Sequence, residues 1–179
     1  MSQKNIRDFA QLFDEHVWDV YGFFGYRLSS REEAEDLTQA TFERALRGWQ
    51  RFDPSLAGPR TWLLAIARNL LIDHHRRYRA ARREPLAEGE VADDQLGSTP
   101  AIEPVGLEPE LERALNELGE RDRELIALRF GGDLTGPEIA EMTGLTLSNV
   151  QQILSRALRR LRAALSEREQ VTSLGSTES

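Results

Sequence analysis

The chain has 179 residues, 40% of them hydrophobic, which is enough for one large domain or two small ones. It contains no cysteine, which excludes disulfides and thiolate zinc sites, and no run is apolar enough to span a bilayer. The N-terminus lacks the apolar stretch of a secretory signal, so we expect a soluble cytoplasmic protein.

The net charge of −7 is unevenly distributed. Residues 1–83 carry 14 basic and 11 acidic side chains, whereas residues 84–110 carry 8 acidic and no basic ones. Residues 111–179 carry 9 basic and 11 acidic side chains. One segment therefore accounts for the acidity, and the regions on either side of it are together slightly basic. The overall charge does not argue against binding to nucleic acid.

The first 80 residues predict three helices. Apolar residues at helical spacing form one stripe over residues 6–28. The serines at 29–30, followed three residues later by glutamates, predict the start of a second helix that extends to about Leu46. Residues 50–58 contain loop-forming Asp, Pro, Ser and Gly, and Pro59 is typical of the first turn of a third helix.

The third predicted helix carries a basic stripe that a single acid, Asp73, opposes. The stripe indicates either contact with nucleic-acid phosphates or a solvated helix end. Aromatic rings beside arginines suit single-stranded DNA, whose bases can stack on them. We expect Trp62, within an apolar run, in the core, which makes Trp49 and Phe52 the better candidates for base contact. The arginines of the stripe are Arg68, Arg76, Arg77, Arg79, Arg82 and Arg83.

Residues 84–108 are rich in proline, glycine and acidic residues, which predicts a flexible linker between two domains. The sequence shows no strand pattern, so the predicted fold is all-α with two small helical domains. We expect the domains and linker at 1–83, 84–108 and 109–168, with a loose tail at 169–179. The helices of the second domain are predicted at 109–118, 120–130, 135–143 and 147–165.

The last two predicted helices have the layout of a helix-turn-helix, the commonest way to place a helix in the major groove of DNA. Thr135 and Glu138 fit a capping box, and Gly144 suits the left-handed residue that ends a helix. Thr146 or Ser148 can cap the next helix. The alternative is an amphipathic surface helix within a bundle.

The last helix is apolar on one side and polar on the other. Amide side chains match the donor and acceptor pattern of adenine, and arginine suits guanine or phosphate. The polar side therefore predicts a DNA-reading surface. Its residues are Asn149, Gln151, Gln152, Ser155, Arg156, Arg159 and Arg160.

Patterns typical of catalysis are missing from the sequence. The acidic run at 32–36 indicates a solvated helix start or a docking surface for a protein. His74 and His75 are adjacent and point about 100° apart on a helix, so they cannot easily share a metal. Without a glycine-rich phosphate loop or a triad pattern, we expect neither an enzyme nor a metal or other cofactor.

Three blocks in order resemble the bacterial extracytoplasmic-function sigma factors of the RNA polymerase sigma factor family. They are AEDLTQATFERAL at 34–46, TWLLAIARNLLIDHHRR at 61–77 and the helix-turn-helix at 135–162. The resemblance implies sigma domains two and four on either side of the acidic linker. It also implies core RNA polymerase, promoter DNA (duplex and single-stranded) and an anti-sigma factor as partners, with no small-molecule substrate and no membrane insertion.

The resemblance implies roles for residues in domain two. The loop at 49–58, with Trp49 and Phe52, would capture a base flipped from the minus-ten strand. The clamp of the largest polymerase subunit would be contacted by Asp36, Gln39 and Phe42. The minus-ten strand would be lined by Asn69, Asp73, Arg76 and Arg77.

In domain four, the resemblance implies that Leu115, Leu118 and residues 123–128 dock on the polymerase flap. The minus-thirty-five element would be contacted by Gln151, Gln152, Ser155 and Arg156. Many family members have Lys or Arg where this chain has Gln151 and Gln152, so contact with adenine is favoured here. The alternative function is a stand-alone helix-turn-helix repressor or activator, although the chain shows no obvious heptad pattern for a dimer.

Overall fold

The computed structural model describes residues 6–81 and 107–175, and within these ranges every regular element is a helix, which confirms the all-α prediction. No helix in the described ranges is long and apolar enough to cross a membrane. A 3₁₀ turn at Trp49–Arg51 leads towards the last helix of the first domain. That domain has three helices: α1 (Ile6–Gly25), α2 (Arg31–Gly48) and α3 (Pro59–Ala81).

The second domain has four helices: α4 (Pro109–Asn116), α5 (Glu120–Ile126), α6 (Gly136–Thr143) and α7 (Leu147–Gly175). After α5 the chain makes a wider, π-helical turn at Ala127–Gly131, where the Gly132 amide donates to the Ala127 carbonyl at 2.8 Å. The helices α6 and α7 form the predicted helix-turn-helix, with Ile139 and Val150 fully buried where they meet the rest of the domain.

The predicted start and stop signals of the helices are confirmed. The Ser30 hydroxyl accepts a hydrogen bond from the Glu33 amide at 3.2 Å, which caps α2. Thr135 and Glu138 form the capping box of α6, and the Thr135 amide donates to the glutamate at 2.8 Å. Gly144 ends α6 with a φ of 70°, in the left-handed region that favours glycine.

Thr146, rather than Ser148, caps the last helix, since its hydroxyl accepts from the Asn149 amide at 3.2 Å. This helix continues to Gly175, beyond the predicted end at 165 and through most of the tail predicted to be loose at 169–179. No proline or glycine lies between Leu165 and Gly175, so nothing in the sequence breaks the helix there. The predicted linker lies outside the described residues except for its last two.

The two domains pack directly against each other, which the prediction of two domains on a flexible linker did not anticipate. One buried cluster contains Phe23, Phe24 and Leu64 of the first domain together with Leu125 and Leu128 of the second, all 0% exposed. Fully burying such a side chain is worth about 1.5–3 kcal/mol relative to exposure, and the other domain supplies part of that burial. A second cluster, formed mainly by the second domain, lies between α4, α5 and α7.

The backbones of the two domains approach each other closely at two glycines. The backbone of Gly22 in α1 meets that of Gly131 in the π-helical turn. A Cβ atom on Gly131 would lie 2.5 Å from the Gly22 carbonyl oxygen, and one on Gly22 would lie 2.6 Å from the Gly131 carbonyl oxygen. Only hydrogen fits at either position, so the two glycines allow α1 and the turn to touch through their backbones.

Candidate nucleic-acid and polymerase interface

The recognition surface of α7 faces solvent. Val150 and Ala157 are fully buried and fix the inner side of the helix. The seven side chains of the predicted DNA-reading surface all lie on the outer side and are exposed: Asn149, Gln151, Gln152, Ser155, Arg156, Arg159 and Arg160. The structure therefore brings these residues together on one accessible helix face, where they can donate and accept hydrogen bonds.

Asp122 of α5 binds two arginines of this surface. Its carboxylate accepts from Arg156 Nη2 at 2.7 Å and Nε at 3.4 Å, and from Arg160 Nη1 at 3.4 Å. The Asp122 side chain is 6% exposed, and its hydrogen bond and charge raise the pKa of Arg156. Asp122 was not among the predicted site residues, because a carboxylate 34 residues before its partner carries no local signal.

The basic surface of α3 is smaller than predicted. Arg76 and Arg77 are exposed, as is Asn69, and Arg76 Nη2 donates to Asp73 Oδ1 at 2.9 Å. Arg68 departs from the predicted stripe, because its Nε donates to Glu124 of the second domain at 2.6 Å. The predicted members Arg82 and Arg83 lie outside the described residues.

The prediction that Trp49 and Phe52 present rings for base stacking is wrong for this structure. Both are 8% exposed, and their rings stack on each other at 5.6 Å, while Phe52 stacks on Trp62 at 4.5 Å. The 3₁₀ turn folds the chain back over α3, so these rings contribute to the core. Trp62, expected in the core, is only partly buried, and the outermost apolar side chain of the loop is Leu56, at 79% exposed.

The surface of α2 that was predicted to bind polymerase is partly as expected. Asp36 and Gln39 are exposed, and Gln39 Nε2 donates to Glu43 Oε1 at 2.9 Å. Phe42 is 5% exposed, so its prediction as a contact residue is corrected: its ring packs edge-on against Phe13 at 4.7 Å, inside the first domain. Its helical position places it on the inward side of α2, with other core residues.

Two buried arginines cross the contact between the domains. Arg27 pairs with the Glu120 carboxylate and donates from Nη1 to the Glu120 carbonyl oxygen at 3.1 Å. Arg123 Nε donates to the Tyr26 carbonyl oxygen at 2.8 Å. Burial lowers the pKa of each arginine to about 10, so both remain charged at neutral pH. The hydrogen bonds that Arg27 and Arg123 donate across the contact exist only while the domains stay together.

The same contact covers the side of the second domain that was expected to dock on the polymerase flap. Within residues 123–128, Leu125 and Leu128 are 0% exposed and belong to the cluster shared with the first domain. At the edge of the contact, Arg60 Nη1 lies 3.0 Å from Asp133 Oδ2. The polar faces of α3 and α7 are thus accessible, while the face of α5 and the following turn that carries Leu125 and Leu128 is covered.

His75 lies beside this contact and makes its stability depend on pH. Burial, followed by the positive charges of Arg27, His74, Arg79 and Arg123, lowers the pKa of His75 to about 4. A lowered pKa in the folded chain means that stability is fully present above the ordinary value of about 6.5 and is lost as the pH falls towards 4. Each pH unit within this window costs at most about 1.4 kcal/mol.

We expect the variant His75→Gln to lose less stability than the natural chain between pH 6.5 and 4.5, as measured by denaturant unfolding at several pH values. The variant His16→Gln controls for the removal of a histidine, because His16 pairs with Asp19 on its own helix. An unchanged pH dependence in His75→Gln would show that folding does not lower the pKa of His75.

Comparison with known proteins identifies the class of protein that this fold and these surfaces define. Residues 12–81 match Sigma-70 region 2, and residues 114–163 match Sigma-70 region 4. The two regions correspond to the two helical domains, in chain order. The protein is thus a sigma factor built from regions 2 and 4.

A more specific assignment follows from a relative of similar length. The ECF RNA polymerase sigma factor RpoE of Cereibacter sphaeroides is 35% identical over 158 residues, which span 88% of this chain and 86% of the relative. The chain belongs to the ECF RNA polymerase sigma factors. The resemblance identified from the sequence is therefore confirmed.

Two solved structures share the fold. The sigma factor RpoE in complex with the anti-sigma factor NepR from Bartonella quintana has a TM-score of 0.69 and 23% identity, covering 89% of this chain and 98% of its own. CnrH in complex with the cytosolic domain of CnrY has a TM-score of 0.67 and 26% identity, covering 91% of this chain and 90% of its own. Both likenesses extend over the two helical domains.

Proposed function

We propose that this sigma factor acts in the cytoplasm by binding core RNA polymerase and directing it to a promoter with two recognition elements. The observation that carries the proposal is the pair of accessible polar faces on α3 and α7, in a chain that holds sigma regions 2 and 4 in order. Each face belongs to a separate domain, which suits the recognition of two separate DNA elements.

Domain four recognises the minus-thirty-five element as duplex DNA. The face of α7 offers Gln151 and Gln152 near its N-terminus and Arg156 one turn later, all exposed. Residues near the start of a recognition helix contact base edges in helix-turn-helix proteins. The two amides suit adenine, and Arg156 suits guanine or a phosphate. Asn149, Ser155 and Arg159 complete the contact surface.

Domain two opens the minus-ten element and holds its single strand. Asn69, Arg76 and Arg77 on α3 contact the strand, and the solvent-facing part of the loop at 53–58 receives a flipped base. Flipping costs a few kcal/mol per base, which contacts to phosphate and base must offset. The buried stack of Trp49 and Phe52 supports that loop from beneath instead of touching the base.

Core polymerase binds through α2 and α5. On α2, the exposed side chains Asp36 and Gln39 face the clamp of the largest subunit. The flap takes the side of domain four that contains Leu125 and Leu128. Domain two covers this side when the two domains are packed together as in this structure, which we call the closed arrangement. Docking on the flap therefore requires the domains to separate, and we call this the open state. Polymerase favours the open state because it binds that state and not the closed arrangement.

An anti-sigma factor is the expected regulator. One of the solved structures with this fold is a sigma factor in complex with the anti-sigma factor NepR. We infer that an anti-sigma factor of this chain acts by favouring the closed arrangement, in which α5 is covered. A ligand shifts such an equilibrium only by its difference in affinity for the two states.

Run-off transcription tests the proposal. Purified protein with core polymerase should yield promoter-specific transcripts from a library of genomic fragments, whereas core polymerase alone should not. Tight binding of duplex half-sites by the protein alone, without specific transcripts, would contradict the proposal. That result would favour the stand-alone helix-turn-helix repressor or activator, which binds DNA unaided.

A further inference from the structure

The strongest feature outside the proposed contacts is the carboxylate of Asp122, which is enclosed behind the recognition helix. Its side chain is 6% exposed, whereas those of Arg156 and Arg160, which it binds, are 50% and 59% exposed. The α5 backbone that carries it is anchored by the buried side chains of Leu125 and Ile126. A buried acid therefore lies under two exposed arginines on the DNA-reading side.

The hydrogen bonds leave one edge of Arg156 available. Asp122 accepts from Nη2 at 2.7 Å and from Nε at 3.4 Å, so it occupies the side edge of the guanidinium. A guanidinium has five N–H donors in a fixed fork. Three donors remain, and they lie on the Nη1 and Nη2 end, the edge that can bond guanine or phosphate in a bidentate manner.

We propose that Asp122 is a positioning residue for minus-thirty-five recognition, an inference that rests on the proposed function. It restricts Arg156 to one orientation, with the bidentate edge towards DNA. It also compensates part of the charge of Arg156 and Arg160, which weakens their attraction to any phosphate within reach. Asp122 thereby raises discrimination between promoter and other DNA more than it raises affinity.

The variant Asp122→Asn tests this assignment in complex with core polymerase. The probes are a duplex selected by the natural holoenzyme from a library randomised at the minus-thirty-five position and a scrambled duplex of equal length. We expect the affinity ratio of selected to scrambled duplex to fall about tenfold, the loss of one bidentate contact. The slope of log affinity against log salt concentration for the scrambled duplex should steepen by about the amount expected for one added phosphate contact. The reason is that Arg156 and Arg160 no longer pair with a carboxylate.

Glu110→Gln provides a matched control. Glu110 is a half-exposed acid of the same domain that pairs with Arg113 at 3.2 Å, on α4 and away from the recognition helix. This variant removes the same charge and one carboxylate–arginine pair, and it should change neither the affinity ratio nor the salt dependence. The proposal would be overturned if Asp122→Asn and Glu110→Gln had the same affinity ratio of selected to scrambled duplex and the same salt dependence of binding.

A double-mutant cycle separates positioning from support of the fold. In the background Arg156→Ala, adding Asp122→Asn should leave the affinity ratio unchanged, since the arginine to be positioned is gone. An equal fall in both backgrounds would indicate a structural role and contradict the proposal. Arg156→Lys, an exposed change that keeps the charge but not the fork, should lower the ratio without changing the salt dependence.

Failure of the proposed function gives a different result. In that case the natural holoenzyme would select no duplex from the library, which would refute minus-thirty-five recognition and the role of Asp122 within it. Selection by the natural protein, together with an unaffected Asp122→Asn, would refute only the role of Asp122.

Discussion

Replacing Gly131 with alanine is expected to weaken the contact between the two domains. The new Cβ would lie 2.5 Å from the Gly22 carbonyl oxygen and 2.7 Å from the Phe23 amide nitrogen, and backbone atoms within α1 cannot move aside alone. Overpacking of this kind costs about 1–3 kcal/mol. Alanine is favoured over glycine inside a helix by about 1 kcal/mol, so a substitution that acted only on the local helical turn would stabilise the protein instead of destabilising it.

The separation can be measured by energy transfer between two dyes. The chain contains no cysteine, so cysteines introduced at exposed Arg44 of α2 and Ala163 of α7 give one label in each domain. Gly131→Ala should lower the transfer efficiency and leave the helical content unchanged. Gly58→Ala is the control, because a Cβ there would meet nothing within 4 Å. Equal transfer in both variants would show that the glycine contact does not hold the domains together.

The same variant connects the closed arrangement to binding of polymerase. If polymerase binds only the open state, a cost of about 1.4 kcal/mol to the closed state raises the apparent affinity by up to about tenfold. We expect this gain for Gly131→Ala and not for Gly58→Ala. Weaker binding by Gly131→Ala would instead mean that polymerase uses the closed arrangement.

Local signals made the helices predictable. The starts of α2 and α6 depend on a side chain and an amide three residues apart, as in the capping pairs of Ser30 and Thr135, and the end of α6 depends on Gly144. The polar face of α7 follows from its periodicity. These features are determined within about one helix turn and can be read without knowledge of the rest of the chain.

Long-range contacts were not predictable. Arg27 and Glu120 are 93 residues apart, Arg123 and Tyr26 are 97 apart, and no local pattern relates them. An arginine in isolation is expected at the surface, and only the second domain makes its burial possible. The prediction that the Trp49 ring is available to a base was wrong for the same reason. Whether a ring beside a loop points into the core depends on the turn that follows the helix.

Replacing both Arg76 and Arg77 with alanine is expected to block formation of the open promoter complex while sparing the binding of core polymerase. The Arg76 side chain is 73% exposed and pairs with Asp73 at the surface of α3, so its loss should change stability by less than about 0.5 kcal/mol. A charge-assisted hydrogen bond to phosphate is worth about 1.5–3 kcal/mol. Losing two should slow strand opening by about a hundredfold or more.

Strand opening is followed by the fluorescence of 2-aminopurine placed in the minus-ten element, and polymerase binding by anisotropy of the labelled protein. The matched control is Arg113→Ala with Arg162→Ala, which removes the same charge from exposed positions of domain four that the proposed polymerase and DNA contacts do not include. General attraction between the protein and DNA would make both pairs equally defective. A defect confined to Arg76 and Arg77 would assign the effect to α3, because net charge is equal in the two variants and only the position of the lost arginines differs.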